Sequence, residues 1–294
     1  MADLARLHDP TPRARLLGDA RYHVLVTGAG SGVSKFSDVA LTAWSADRTE
    51  DGDGLFVYLR DLDDGRLWSA GHAPVGAPAE RYAVRDEPGV VRFDRLDTGI
   101  ATRLAVCVAP DADVEVRRLV LENCSDRTRT IEVTTYAEVV LIHPAAYAAH
   151  PAFVKLFVQT EYDASQEVVL AQRRPRGAGE TFPWLMHACT GPGPAELETD
   201  RVRFVGRGRT LAAPDALAPA ARLSGTVGSV LDPVVSLRRV VRIAPGATAT
   251  LTILLGAAPT RGEALALARR HAAAGDDVFA AATGGRRSRG RPRF

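Results

Sequence analysis

The stretch that most constrains the fold is a short apolar run that leads straight into a glycine-rich loop. Residues 21–34 read Arg-Tyr-His-Val-Leu-Val-Thr-Gly-Ala-Gly-Ser-Gly-Val-Ser. A dinucleotide-binding turn has the spacing G-x-G-x-x-G and a helix that begins within it. Here the spacing is G-x-G-x-G, and residues 33–44 show no apolar stripe at helical spacing. The stretch therefore favours a loop at the rim of an all-β domain over the turn of an α/β oxidoreductase.

Apolar runs separated by tight turns continue along the chain. Asp64-Gly65 lies between the runs 55–60 and 66–70, and Asp-Gly between apolar runs indicates a hairpin because glycine accepts positive φ. In residues 130–142 apolar and polar side chains alternate, which is typical of a strand with one buried face. Roughly a dozen such runs at this spacing predict antiparallel sheets packed face to face.

Less regular segments complete this prediction. We expect a strand over residues 153–162 and a short strand over residues 201–205. One helix stands out at residues 261–271, where Thr260 and Glu263 occupy the N-cap and N3 positions of a capping box. The fold class predicted from the residues is an all-β antiparallel sandwich with a short C-terminal helix.

Charge and cysteine content exclude several classes of function. The formal net charge is +2, but five arginines lie in the last nine residues, so the rest of the chain is acidic and predicts no nucleic-acid partner. The three cysteines include no C-x-x-C pair, which predicts no metal site and a reducing, cytoplasmic compartment. No run approaches the length of a membrane span, and residues 1–18 lack the apolar core of a signal peptide.

Six blocks in collinear order carry a resemblance to a known family. They are residues 21–32, 59–71, 115–119, 135–141, 150–161 and 224–233. Together they resemble the β-sandwich domain that begins the modules of glycoside hydrolase family 94, formerly classed as glycosyltransferase family 36. Within that family the blocks are most similar to the phosphorylase-like modules of bacterial cyclic β-1,2-glucan synthases. The resemblance extends over about residues 15–282.

The resemblance implies a galactose-mutarotase-like supersandwich, followed in the family by a linker helix and an (α/α)6 barrel that performs inverting phosphorolysis of β-glucosides. We therefore expect a lead-in at residues 1–15, a supersandwich at 16–260, a helix that starts the linker at 261–282, and a disordered basic tail at 283–294. On this interpretation the chain is truncated before the catalytic barrel, with no catalytic residue and no cofactor of its own. Whether it is an enzyme stays open.

The partners implied by the resemblance are a β-glucan or oligosaccharide, a catalytic (α/α)6 barrel normally in the same chain, and a second copy in a homodimer. The chain itself would not span a membrane, although a synthase containing it would be attached to one. Rim loops and exposed aromatic rings are the usual carbohydrate contacts. The candidates for carbohydrate or interface contacts are Tyr22, Gly30, Ser31, Gly32, Trp44, His143, His150 and Phe153.

A second function is left open by the same fold analogy. Supersandwiches resemble aldose mutarotases, which use a His–Glu pair. A stand-alone sugar epimerase would pair His143 or His150 with Glu138 or Glu161. This alternative rests on the fold alone.

Overall fold

Two antiparallel sheets make up the body of the structure, a computed structural model that describes residues 13–45, 47 and 49–284. Most of the predicted lead-in, residues 1–12, and the predicted tail from residue 285 onward lie outside the described residues. Within the described part the two sheets contain nine and eight strands. The predicted all-β fold of two packed antiparallel sheets is therefore confirmed.

The strands of the first sheet are β1 (Ala14–Gly18), β2 (Tyr22–Thr27), β3 (Gly32–Phe36), β4 (Val39–Thr42), β5 (Phe56–Asp61), β6 (Leu67–Ser69), β11 (Arg129–Ile142), β15 (Glu196–Asp200) and β16 (Pro233–Ile243). The sheet is built around β11, the longest strand of the described chain. One edge of β11 pairs first with β5 and then with β4, and its other edge pairs with β16. The order across the sheet is β1-β2-β3-β4-β11-β16-β15, and β6 pairs with β5.

The strands of the second sheet are β7 (Arg81–Glu87), β8 (Val90–Asp97), β9 (Ile100–Val108), β10 (Val114–Asn123), β12 (Val158–Asp163), β13 (Val168–Arg173), β14 (Trp184–Thr190) and β17 (Thr248–Ala258). Their order across the sheet is β12-β13-β14-β17-β10-β9-β8-β7. Neighbouring strands pair antiparallel throughout this sheet.

The main core lies between the sheets, because every second side chain along a strand points to the same face of its sheet. In β5, Val57 and Leu59 belong to this core, whereas Phe56 and Tyr58 point to the outer face of the first sheet. There Tyr58 packs with Phe204 in a second apolar cluster. The outer face of the first sheet is thus covered close to β5 and β11.

Five helices in the described residues cover the sheet edges and outer faces: α1 (Pro144–Ala149), α2 (Pro151–Lys155), α3 (Arg201–Val205), α4 (Arg261–His271) and α5 (Asp276–Gly284). The helix predicted at residues 261–271 is confirmed as α4, with both hydrogen bonds of the capping box formed by Thr260 and Glu263. The segment expected to form one helix at residues 261–282 is divided between α4 and α5.

Two predicted strands are wrong, for local reasons. The segment 153–162 begins in α2 and becomes extended only from Val158, because Pro151 occupies the first helical turn, where its fixed φ suits a helix. The segment 201–205 is α3, because the Asp200 side chain accepts a hydrogen bond from the backbone N–H of Val202 and caps the helix.

Candidate functional site

The glycine-rich loop is the turn of a hairpin between β2 and β3. Gly32 already belongs to β3, and a Cβ atom there would lie 1.9 Å from the carbonyl oxygen of Leu25 on the paired strand. Gly30 has a φ of +92° and lies against the backbone of Gly71. The interpretation as a rim loop is confirmed, because a strand rather than a helix follows the loop.

This hairpin turn fixes two further loops by backbone hydrogen bonds. The carbonyl of Asp53 accepts from the Ser31 hydroxyl at 2.6 Å and from the Gly32 amide at 2.9 Å. The carbonyl of Ala29 accepts from the amides of His72 and Ala73. Tight backbone packing at the glycines therefore places the segment ending at Asp53 beside the segment starting at His72.

These two segments form a groove of about 640 Å³ at the rim of the first sheet. We call it the rim groove and define it by Asp51, Asp53, His72, Glu138, Arg201 and Arg209. The last two residues come from α3 and from the segment that follows it. The volume lies within the range of small-molecule sites.

Carboxylates outnumber cations among the described residues of the rim groove. Five carboxylate side chains and two guanidinium groups of this part of the chain line it. One carboxylate oxygen of Asp53 accepts from the amide and hydroxyl of Ser45, at 2.6 and 2.7 Å. Burial raises the pKa of Asp51 above its ordinary value, against the opposing effect of His72. Arg209 contacts Asp215 through Nε at 3.0 Å.

Glu138 and Arg201, which line the groove, belong to a cluster of four charged side chains. The Lys155 ammonium donates to Glu138 at 2.7 Å and to Asp232 at 2.6 Å, and Arg201 donates to Glu138 at 2.6 Å. We call Glu138, Lys155, Arg201 and Asp232 the ion cluster. Burial alone would raise the pKa of Glu138, but Lys155 and Arg201 outweigh burial and lower it. The cluster ties β11, α2, α3 and the loop before β16 together.

Large apolar side chains are exposed next to the ion cluster. Leu156 follows Lys155 in sequence, Val202 follows Arg201, and Leu231 precedes Asp232. Their exposed fractions are 41%, 61% and 76%. Phe153, two residues before Lys155, is 50% exposed. We call Phe153, Leu156, Val202 and Leu231 the apolar belt. The ion cluster joins the three segments that carry these side chains, which are α2, α3 and the loop before β16.

The residues predicted as carbohydrate or interface contacts are distributed over several environments. Tyr22 is fully buried and its hydroxyl donates to the Leu255 carbonyl at 2.7 Å, so its ring offers no face to a sugar. Gly30, Ser31 and Gly32 are buried and act through their backbone contacts with the groove loops. Trp44 is half-buried and directly precedes Ser45, which lines the groove.

The other predicted contacts lie on the two short helices that follow β11. His143 is exposed, and its Nδ1 accepts from the amide of Ala145 at 3.2 Å, which caps α1. His150 is exposed between α1 and α2. Phe153 packs edge-on against Phe157 and belongs to the apolar belt.

The carboxylates of the epimerase hypothesis are engaged with cations rather than with histidine. Glu138 is held in the ion cluster, and Glu161 lies on the second sheet, where it pairs with Arg261. Among the described residues, neither carboxylate forms a hydrogen bond with His143 or His150. The geometry therefore assembles no His–Glu pair.

The described part of the chain holds no cluster of three or more His, Cys, Asp or Glu side chains suited to a metal ion. Every helix there is too short or too polar to traverse a bilayer.

Sequence reasoning missed most of the rim groove. Asp51, His72 and Arg209 lie far apart in the chain and share no spacing pattern. The one signal in the sequence was the glycine-rich loop, because glycines allow the backbone of another segment to approach closely, as Gly71 approaches Gly30.

Comparisons with known proteins agree with this architecture. The family model of the glycosyl hydrolase 94 supersandwich domain matches residues 4–274. The chain is 38% identical to the cyclic β-(1,2)-glucan synthase NdvB of Rhizobium meliloti over 88% of its own length, and 28% identical to the solabiose phosphorylase of Paenibacillus borealis over 78%. It spans only 10% and 29% of the length of these two relatives.

A solved structure shows the same fold at low sequence identity. An Escherichia coli K12 protein provisionally named an aldose 1-epimerase superposes with a TM-score of 0.54 at 9% identity, over 85% of this chain and 100% of that one. This likeness establishes the fold only. The family match covers most of the chain and fits the two-sheet architecture. The chain therefore belongs to the glycosyl hydrolase 94 supersandwich-domain family.

Proposed function

We propose that this chain is the non-catalytic supersandwich of a β-glucan-processing enzyme and that its apolar belt docks on a catalytic domain. The observation that carries the proposal is the exposed belt around the ion cluster. Exposed side chains such as Leu231 and Phe153 gain free energy only when a partner covers them. The cluster holds them on three separate segments in a fixed arrangement.

The occupant proposed for the belt is the catalytic (α/α)6 barrel implied by the family, normally part of the same polypeptide. The small share of the relatives that this chain spans supports this choice, because most of each relative's length lies outside the matched region. Phosphorolysis and glucan synthesis would then be activities of the assembled protein. Inverting phosphorolysis needs a general acid and a phosphate site, which the barrel would supply.

The remaining partners follow from the same role. The glycan would be a β-glucan or an oligosaccharide derived from one, and a second copy of the module would complete a homodimer. We propose the cytoplasm as the compartment, with attachment to a membrane through other parts of a synthase. The free thiols of Cys107, Cys124 and Cys189 support a reducing compartment.

Co-purification tests the docking. The tagged chain is co-expressed with the catalytic part of the 38% identical glucan synthase, and we expect the two to purify together. Replacing Phe153 and Leu231 by serine should weaken the association at least about tenfold, since two large apolar contacts are lost. The matched control replaces Leu62 and Val240 by serine, because these two side chains are similarly exposed but lie outside the belt. No association, or equal weakening by the control, would contradict the proposal.

A second assay tests the absence of catalysis. The chain alone should release no glucose 1-phosphate from cellobiose, sophorose or longer β-1,2-glucans supplied with phosphate. Release of glucose 1-phosphate by the isolated chain would refute a non-catalytic role. The epimerase alternative is not proposed, because Glu138 and Glu161 are both paired with cations.

A further inference from the structure

The rim groove is separate from the apolar belt, although Glu138 and Arg201 contribute to both the groove and the ion cluster. Its walls are the acidic segment around Asp51 and Asp53 on one side and the segment around Arg209 on the other. The glycine-loop hydrogen bonds fix the first wall. The second wall is fixed where the Tyr58 hydroxyl donates to the Leu211 carbonyl at 2.9 Å.

Polar groups in the groove keep capacity for further hydrogen bonds. Arg209 uses Nε on Asp215, and its terminal amino groups form no hydrogen bond or ion pair with another described residue. Asp53 uses Oδ2 on Ser45, and its Oδ1 accepts from no described donor. Glu50 is exposed at the groove edge. The groove therefore offers hydrogen-bond donors and acceptors that its own described residues leave unused.

We infer that the rim groove binds an uncharged oligosaccharide. Sugar hydroxyls both donate and accept, so they match guanidinium groups on one wall and carboxylates on the other. The apolar side chains of Pro74 and Leu211, which also line the groove, suit the C–H face of a sugar ring. Among the described residues that line the groove, five carboxylates against two guanidinium groups disfavour an anionic ligand such as a nucleotide or a sulfated glycan.

The choice of a glucan as the oligosaccharide rests on the proposed function, whereas the location of the site is argued from the lining residues of the groove. The first probe is therefore a set of short linear β-1,2-gluco-oligosaccharides, titrated into the purified chain by calorimetry. A sulfated oligosaccharide and a cationic chitosan oligomer of similar length serve as charge probes.

Two variants test the assignment of residues. Arg209→Ala and Glu50→Gln should each lower the affinity about tenfold, because each removes a charged hydrogen-bonding partner. The matched control is Arg222→Ala, an exposed arginine on the same segment that pairs with Glu196 at 2.6 Å outside the groove. If Arg209→Ala disturbs the structure of the segment around residue 209, Glu50→Gln on the other wall still tests the assignment. The belt variant Phe153→Ser should bind the glucan normally, which separates this test from that of docking.

Saturable binding of the neutral glucan that both groove variants weaken and Arg222→Ala preserves would support the inference. The absence of saturable binding, equal weakening by Arg222→Ala, or tighter binding of the sulfated or cationic probe would overturn it.

Discussion

His187 is expected to make the stability of the fold depend on pH. It is fully buried between the sheets, where its Nδ1 donates to the Leu254 carbonyl at 2.9 Å and its Nε2 lies 2.7 Å from the Thr135 hydroxyl. Burial lowers the pKa of His187 from 6.5 to about 4, so the ring is neutral in the folded protein at neutral pH.

The direction of this pH dependence follows from proton linkage. As the pH falls below 6.5, the unfolded chain binds a proton at His187 that the folded chain does not bind until about pH 4. Stability is therefore lost as the pH falls through this window, and no further loss from this residue occurs below it. At about 1.4 kcal/mol for each pH unit, the lowered pKa of His187 corresponds to about 3 kcal/mol.

The measurement is urea unfolding of the wild type and of His187→Gln at several pH values between 7 and 4. A neutral glutamine costs some stability at pH 7, but it removes the proton-linked part. The wild type should therefore lose about 3 kcal/mol more than the variant over this range. Carboxylates that titrate in the same range affect both proteins and cancel in the difference. Parallel pH dependences for the two proteins would refute the reasoning.

Two further changes have defined outcomes. Gly32→Ala should lower the free energy of unfolding in the same urea assay by about 3 kcal/mol or more, because the new Cβ would collide with the Leu25 carbonyl. The matched control is Gly262→Ala in α4, where the new Cβ meets no atom within 4 Å and the change should be neutral or stabilising. Glu138→Gln should cost about 3 kcal/mol at pH 7, because Lys155 and Arg201 lose the carboxylate between them and keep only Asp232, and the cost should shrink as the pH falls through the lowered pKa of Glu138. A Gly262→Ala variant as unstable as Gly32→Ala, or a Glu138→Gln cost independent of pH, would contradict these expectations.

The two-sheet fold could be predicted because its signals are local and repeated. The alternation in residues 130–142 and the capping box at Thr260 each depend on a few neighbouring residues, and the structure contains both elements. Helices α2 and α3 could not be predicted in this way. Each has five residues, too few for a helical period to appear, and each is fixed by its first turn and by packing against the sheet.

The candidate site was less accessible to sequence reasoning. Glu138 lies in a strand with alternating polarity and resembles a solvent-facing residue, yet Lys155 and Arg201 surround it. Those cations come from separate helices whose positions depend on the tertiary fold. The rim groove likewise joins loops brought together by the backbone contacts of Gly32, and no spacing in the chain records that proximity.

Amide hydrogen exchange of the chain, measured with and without the catalytic part of the glucan synthase relative, tests the central claim most directly. If the supersandwich docks through the apolar belt, exchange should slow in α2, in α3 and in residues 227–232, and stay unchanged in β7 and β8 at the far edge of the second sheet. Unchanged exchange at the belt, or slowing confined to the face covered by α4 and α5, would contradict the account.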